Sequence, residues 1–203
     1  MLELKNKKWI LLALFLLSVA AGVSYPVIKI IRYDFGTRPA VYRFEAGIVD
    51  PYDPFRGRYV TLSPLPTEVI LEEEKDFDDY ENVYAVLEND GRGIAQVVDL
   101  IEKPESGKDA VLVPYYWPRV IQDPTDEEAG KYSYRIRLPF TRFYMNEKLA
   151  PAAERAVDEA LRRNDGTCMI VVNIYKDGNY AIKDLEINGT PIRQYIEEHK
   201  ETD

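Results

Sequence analysis

Twenty consecutive residues without a charge, residues 9–28, constrain this chain more than any other feature in it. A helix rises ~1.5 Å per residue, so a stretch of that length spans the roughly 30 Å hydrocarbon layer of a bilayer. The stretch has no polar face, which argues against an amphipathic helix lying on the cytoplasmic surface. Lys5, Lys7 and Lys8 precede it, and Trp9 and Tyr25 sit near its ends, where aromatic side chains gather at membrane interfaces. The positive-inside rule then predicts a cytoplasmic tail over residues 1–8, a transmembrane anchor over 9–28, and everything beyond on the extracytoplasmic side. Lys29 and Arg32 pull the other way. The competing reading is a cleaved signal peptide, with small residues at Val19, Ala20, Ala21 and Gly22 near the cut. Apolar sequence continues past that point through Val23, Tyr25, Val27 and Ile28, which favours an anchor that is kept.

Roughly 170 residues remain, about one domain by length. Hydrophobic residues make up 46% of the chain, which argues against disorder. Thirteen prolines and fifteen tyrosines suit short strands and rigid turns better than a helical bundle. Setting the three lysines and one glutamate of residues 1–8 aside from totals of 26 basic and 35 acidic residues leaves 23 and 34, so the domain carries about −11. That balance argues against nucleic acid as a partner, because phosphate binding needs clustered Lys and Arg. It also gives no help in lying flat on anionic lipid. The single cysteine, Cys168, opens the apolar run 168–172 and reads as a small buried hydrophobe.

Periodicity predicts a domain over residues 33–196 that is mainly β, in the α+β class. Strands are expected at 41–49, 58–62, 83–88, 94–102, 111–117 and 132–138. In the last of these Tyr132, Tyr134, Ile136 and Leu138 point one way while Ser133, Arg135 and Arg137 point the other. The Asp90–Gly91 step is expected to supply the positive φ angles of a hairpin turn. Residues 68–74 are ambiguous, with helix favoured. A helix is predicted from Pro151 to about Asn164, with Ala153, Ala156, Val157, Ala160 and Leu161 as its apolar stripe. A second hairpin follows over 169–187, then a turn at Asn188 and Gly189, one apolar helical turn over 191–196, and a frayed polar tail over 197–203. The expected architecture is an antiparallel twisted sheet or partly open barrel with one covering helix. No convincing internal repeat is visible.

The most distinctive segment is residues 50–59, with two Asp-Pro steps and a glycine that exclude helix. Gly57, Arg58, Tyr59, Val60, Thr61, Leu62, Ser63 and Pro64 stand in the order of a GDYXXLXY motif, with Arg58 in place of its Asp and Pro64 in place of its last Tyr. The preceding 50–56, the stretch 143–151 with Glu154, and the strand 181–189 extend the likeness. On these segments the chain resembles the family named for that motif, over roughly Tyr42 to Ile192 plus the anchor. The resemblance implies a membrane-anchored protein of unassigned activity, encoded with or fused to a multi-pass membrane protein. It brings no catalytic residues, and Arg58 counts against any mechanism that needs a carboxylate there.

Two readings of the segment stand. In the first it is a folding element: Gly57 for its backbone freedom, Asp50 and Asp53 as acceptors in a turn. In the second, Asp50, Asp53, Arg56, Gly57, Arg58 and Tyr59 line a polar recognition patch. Asp50 and Asp53 as Ca²⁺ ligands lack the further oxygens such a site uses. Asn146 and Glu147 read as a helix start, with binding as the alternative. Tyr115, Tyr116 and Trp117 read as core or sheet-edge aromatics against a ligand platform. The acidic run from Glu72 to Glu81 reads as a solvated face. One histidine in the tail and one cysteine give neither a triad nor a zinc site, and no Walker-type loop exists. No cofactor is implied. The reading adopted is an anchored binding or accessory domain for another membrane protein. The alternative is an envelope hydrolase using paired carboxylates.

Overall fold

The computed structural model of the chain describes residues 2–31, 38–47, 59–75, 77, 82–120, 130–162 and 166–199. It divides into two compact units, Met1–Arg38 and Pro39–Asp203. The first unit holds one helix, α1 (Leu2–Ile31). Every side chain from residue 9 to residue 24 is exposed, the large apolar ones included. Among the described residues no helix is long and apolar enough to cross a membrane; the unbroken run of described side chains in α1 covers only residues 9–24.

The second unit is built of antiparallel strands with two helices. The strands are β1 (Ala40–Gly47), β2 (Tyr59–Thr61), β3 (Ser63–Pro64), β4 (Glu68–Leu71), β5 (Asn82–Asn89), β6 (Ala95–Ile101), β7 (Ala110–Val120), β8 (Tyr132–Ile136), β9 (Arg142–Tyr144), β10 (Cys168–Ile174), β11 (Tyr180–Ile187) and β12 (Thr190–Pro191). The helices are α2 (Ala150–Arg162) and α3 (Ile192–His199). One five-stranded sheet runs β12-β11-β10-β1-β3, a second runs β4-β8-β7-β5-β6, and β2 and β9 form a two-stranded ribbon. This replaces the expected single sheet or barrel with one helix. The reason is long-range pairing: β1 from the start of the domain pairs with β10 near its end, and strands β4 to β8 between them form a sheet of their own.

Most strands sit where alternation places them. In β1, Tyr42, Phe44 and Ala46 are buried while Val41, Arg43 and Glu45 are less so. Residues 68–71, where helix was favoured, form β4 instead. Glutamates favour helix locally, yet Val69 and Leu71 are buried at period two and the strand pairs with β8, so packing overrides propensity. In β8 and beyond, Tyr134, Ile136 and Leu138 are buried as expected, and Ser133 is buried as well, donating its hydroxyl to the Glu68 carboxylate. Helix α2 buries Ala150, Ala153, Val157 and Ala160 and packs against β2, β10 and β11. The polar segment expected to fray is helical through His199, whose ring stacks on Tyr195 at 4.1 Å and bonds its carbonyl at 2.8 Å. Asn188 (φ 52°) and Gly189 (φ 79°) make the tight turn into β12, the pair of left-handed angles a two-residue hairpin requires.

The structure also reveals an internal repeat. In the β5–β6 hairpin, Asp90 N–H bonds the Ile94 carbonyl (2.8 Å) and Gly93 N–H bonds the Asp90 carbonyl (2.9 Å). In the β10–β11 hairpin, Tyr175 N–H bonds Asn179 (2.9 Å) and Gly178 N–H bonds Tyr175 (2.9 Å). Gly93 and Gly178 take φ of 79° and 78°. The left-handed residue is therefore Gly93, in place of the expected Asp90–Gly91 step. Each hairpin then has a bulge at the same distance from its turn, between Val86 and Leu87 in one and Val171 and Val172 in the other. After each bulge an aspartate accepts the backbone N–H of the following leucine: Asp99 from Leu100 and Asp184 from Leu185, both at 2.8 Å. Both leucines are buried. One hairpin thus occurs twice at a constant offset along the chain.

The core joins the two sheets. Phe44 meets Phe140 at 4.7 Å between ring centroids, and both are fully buried. Tyr42 donates its hydroxyl to the Asp109 carboxylate at 3.0 Å and also lies 3.2 Å from the Leu87 carbonyl. Cys168 is 1% exposed, as its apolar run predicts.

Candidate functional site

Five of the predicted site residues, Asp50, Asp53, Arg56, Gly57 and Arg58, lie outside the described residues. Description resumes at Tyr59, the first residue of β2. From there the signature strand splits its side chains by period two. Val60 and Leu62 enter the core, 1% and 3% exposed, and Tyr59 turns to the other face. The motif's Leu62 is thus a core residue, and Tyr59 belongs to a surface.

That surface is built by β9. The register sets Tyr59 opposite Tyr144, Val60 opposite Phe143 and Thr61 opposite Arg142. Phe143 is buried beside Val60, while Arg142 and Tyr144 stand out with Tyr59. The Tyr59 and Tyr144 rings are tilted at 5.6 Å, and the Arg142 guanidinium lies 5.3 Å from the Tyr59 centroid. Such a contact favours a cation over a ring face. Tyr144 remains 65% exposed.

Strand β11 supplies the opposite wall. Tyr180 donates its hydroxyl to the Pro139 carbonyl at 3.1 Å and meets Phe140 edge-on at 5.2 Å. Through Phe140 the surface rests on the core. Burial first, and the neighbouring Tyr144 second, push the Tyr180 phenol above its ordinary value. Pro139, Thr141, Arg142, Tyr144, Tyr180 and Ile182 line an open groove of about 440 Å³ here, within the usual size of binding clefts, about 300–1,000 Å³. Its one charged lining residue is Arg142, which meets no carboxylate among the described residues.

Asn146 sits where β9 leads into α2. Its carbonyl accepts the N–H groups of Leu149 (2.9 Å) and Ala150 (3.0 Å), and its Oδ1 accepts that of Lys148 (2.9 Å). This is the geometry of a helix start, and Glu147 beside it is exposed. Tyr115, Tyr116 and Trp117 lie in β7, with their side chains outside the described ones. Glu72, Glu73 and Glu74 are exposed, as a solvated face requires; the rest of that acidic run, except Phe77 and Lys75 between its members, is outside the described residues.

A family model described as GDYXXLXY protein matches residues 38–185. The chain belongs to that family. The match begins just before β1 and ends within β11, so the β5–β6 hairpin, most of the β10–β11 hairpin and the residues lining the groove lie inside it. No match was found among curated proteins or among solved structures. In this GDYXXLXY protein the named motif therefore does two physical jobs: Leu62 anchors the strand in the core, and the Tyr59 ring packs beside Arg142 and Tyr144 at the surface.

Sequence reasoning missed Arg142, Tyr144, Tyr180 and Ile182 as members of one site. The local signal was present at β9, where exposed Arg142 and Tyr144 flank buried Phe143. The pairing with β2 that brings them to Tyr59 leaves no mark in the local sequence.

Proposed function

We propose that this GDYXXLXY protein is a membrane-anchored binding domain that engages another membrane protein through the groove between β9 and β11. The observation that carries the reading is Tyr144, 65% exposed beside the signature strand. Together with Tyr59, Tyr180 and Arg142, which meets no carboxylate among the described residues, it offers the residue types that dominate protein interfaces, Tyr and Arg. Among the described residues the groove lining has no carboxylate and no nucleophile beside a base. The hydrolase reading keeps one described cleft with two carboxylates, Glu105 and Asp109. Glu105 is already bound to Lys108 at 2.8 Å and Asp109 to the Tyr42 hydroxyl, so it ranks second.

The anchor in this proposal is α1. Its 30 residues and the charge-free stretch 9–28 suit a single span, and its exposed side chains are apolar around the whole circumference. The lysines before it support a topology with the domain on the extracytoplasmic side. Alkaline carbonate washing is expected to leave the chain in the membrane at full mass. Protease added to intact spheroplasts is expected to digest the domain. A released product starting near Gly22, or full protection until lysis, overturns this part.

The binding proposal is tested by crosslinking in membranes and purification of the full chain in mild detergent. Tyr144→Ser and Arg142→Glu are surface changes expected to alter stability by no more than about 0.5 kcal/mol. Each is expected to reduce capture of a defined multi-pass partner about tenfold or more, the effect of truncating an interface anchor. Unchanged capture by both variants refutes the groove as the docking site.

A further inference from the structure

A strand edge presents a row of backbone N–H and C=O groups, and folded proteins usually pair, cap or cover them. In this domain the aspartates of the repeated hairpin are caps of that kind. Leu100 and Leu185 lie at non-bonded positions of their ladders, so their N–H groups point away from the partner strand. Asp99 and Asp184 accept them. Asp99 is further held by Lys75 at 2.8 Å.

Among the described residues two stretches of edge lack such a cap, and they line the same groove. In the ribbon, Leu62 N–H bonds the Thr141 carbonyl at 2.9 Å. With the β2–β9 register, this makes Val60 and Phe143 the next hydrogen-bonded pair. The backbone groups of Arg142 and Tyr144 therefore point away from β2. In the second hairpin, Tyr175 bonds Asn179, which makes Asn173 and Ala181 the next bonded pair. The backbone groups of Tyr180 and Ile182 therefore point away from β10. Strand β12 pairs only with Glu186 and Ile187, and β9, which lies near β11, forms no ladder with it, so among the described residues the first half of β11 has no hydrogen-bonded strand on this side. No backbone or side-chain hydrogen bond among the described residues reaches these outward groups.

The repeat sharpens the contrast. Ala95 and Val97 hold the places in β6 that Tyr180 and Ile182 hold in β11. They are 1% and 8% exposed, whereas Tyr180 is 40% exposed and Ile182 half-buried. The same edge is buried in one copy of the hairpin and open in the other. The open copy carries a tyrosine where the buried one has alanine.

Resting on the binding proposal above, we infer that an extended, acidic segment of the partner protein docks in this groove by strand addition. Its backbone pairs with the outward groups at Arg142 and Tyr144 or at Tyr180 and Ile182, and its carboxylates meet Arg142. Strand addition draws affinity from main-chain hydrogen bonds and selectivity from alternate side chains. The sign follows locally from Arg142, the one charged side chain among the described residues that line the groove, and holds against the overall charge of −9.

The probe is a ten-residue peptide of alternating glutamate and valine, added to the full chain in detergent micelles. Amide hydrogen exchange is read at Arg142, Tyr144, Tyr180 and Ile182. All four amides are expected to exchange fast in the free protein. Those of one wall are expected to slow about tenfold or more at saturating peptide. A lysine–valine peptide, and the glutamate–valine peptide methylated at every amide nitrogen, are expected to give no slowing. Arg142→Glu is expected to reverse the preference between the two charged peptides. Absence of slowing at millimolar peptide, or equal slowing by the methylated peptide, overturns strand addition. Slowing that grows with protein concentration and needs no peptide assigns the edge to a second copy and also overturns it. If Tyr144→Ser loses partner capture while no peptide slows exchange, strand addition fails and the binding proposal stands. If capture is also unaffected, both fail.

Discussion

Gly178→Val is expected to lower the unfolding free energy of the full chain by about 2–6 kcal/mol, and Gly93→Val by about 1–3. The two glycines are equivalent in the repeated hairpin and share a φ near +78°. A β-branched residue at that angle costs of order 1–3 kcal/mol at either site. The surroundings differ. A Cβ at Gly93 meets nothing within 4 Å, while one at Gly178 falls 2.4 Å from Cε1 and 2.9 Å from Cδ1 of Tyr84. Gly178 is buried where the hairpin tip meets the other sheet, and its carbonyl accepts the Leu112 N–H at 3.5 Å. Forcing volume there adds an overpacking cost of about 1–3 kcal/mol. Because the substitution is the same at both sites, unfolded-state effects largely cancel in the difference. Denaturant titrations of the two variants in detergent give the comparison. Equal losses would mean that the Tyr84 ring swings clear at no cost and that the contact does not hold the sheets in register.

This repeat also marks the boundary of what the sequence discloses. Both hairpins are legible, because alternating apolar residues flank Asp-Gly turns. Their identity is not. Ala95 matches Tyr180 and Val98 matches Lys183, so side chains at equivalent places differ while the backbone hydrogen bonds agree. Only one valine (Val86 and Val171), the turn glycine and the aspartate–leucine step repeat visibly, too little to recognise without the bulges. Residues 68–71 mislead for a related reason: three of the next three residues after Leu71 are glutamates, which favour helix, and the partner strand β8 that decides the matter lies more than sixty positions on. The candidate site is legible only at Tyr59. Segment 50–58 attracts attention by its Asp-Pro steps, whereas Arg142, Tyr144 and Tyr180 look like ordinary strand residues. They become one surface through β2–β9 pairing and the approach of β11, and such long-range register is not encoded in any short window. Cys168, by contrast, is fully readable, since its place within an apolar run already predicts a buried thiol.

That thiol is expected to make the domain sensitive to alkali. Burial raises Cys168 from an ordinary 9.0 to about 12. Burial, and then the bond to Asp109, raise Tyr42 from 10.0 to about 12. Both groups are neutral when protonated, and the folded state holds each proton more tightly than the unfolded state does. Their contribution to stability is therefore fully present below pH 9 and is lost as pH rises toward 12. Each pH unit within a group's interval costs about 1.4 kcal/mol. The thiol accounts for about 4 kcal/mol and the phenol for about 3 across their intervals, as order-of-magnitude values. Together these approach the whole stability of an ordinary domain, about 5–15 kcal/mol. The folded chain is expected to unfold cooperatively in alkali, with the slope beginning near pH 9. Cys168→Ala loses some stability at neutral pH by leaving a small cavity, and it delays the slope until the tyrosine begins to titrate near pH 10. Cys168→Ala combined with Tyr42→Phe removes these two groups' share of the slope up to pH 12 and leaves that of Tyr134 and Tyr180, whose phenols burial also raises. Unfolding free energies at one-unit steps from pH 7 to 12 decide the matter. A double variant as steep as the parent chain would show that neither buried proton governs the alkaline limb.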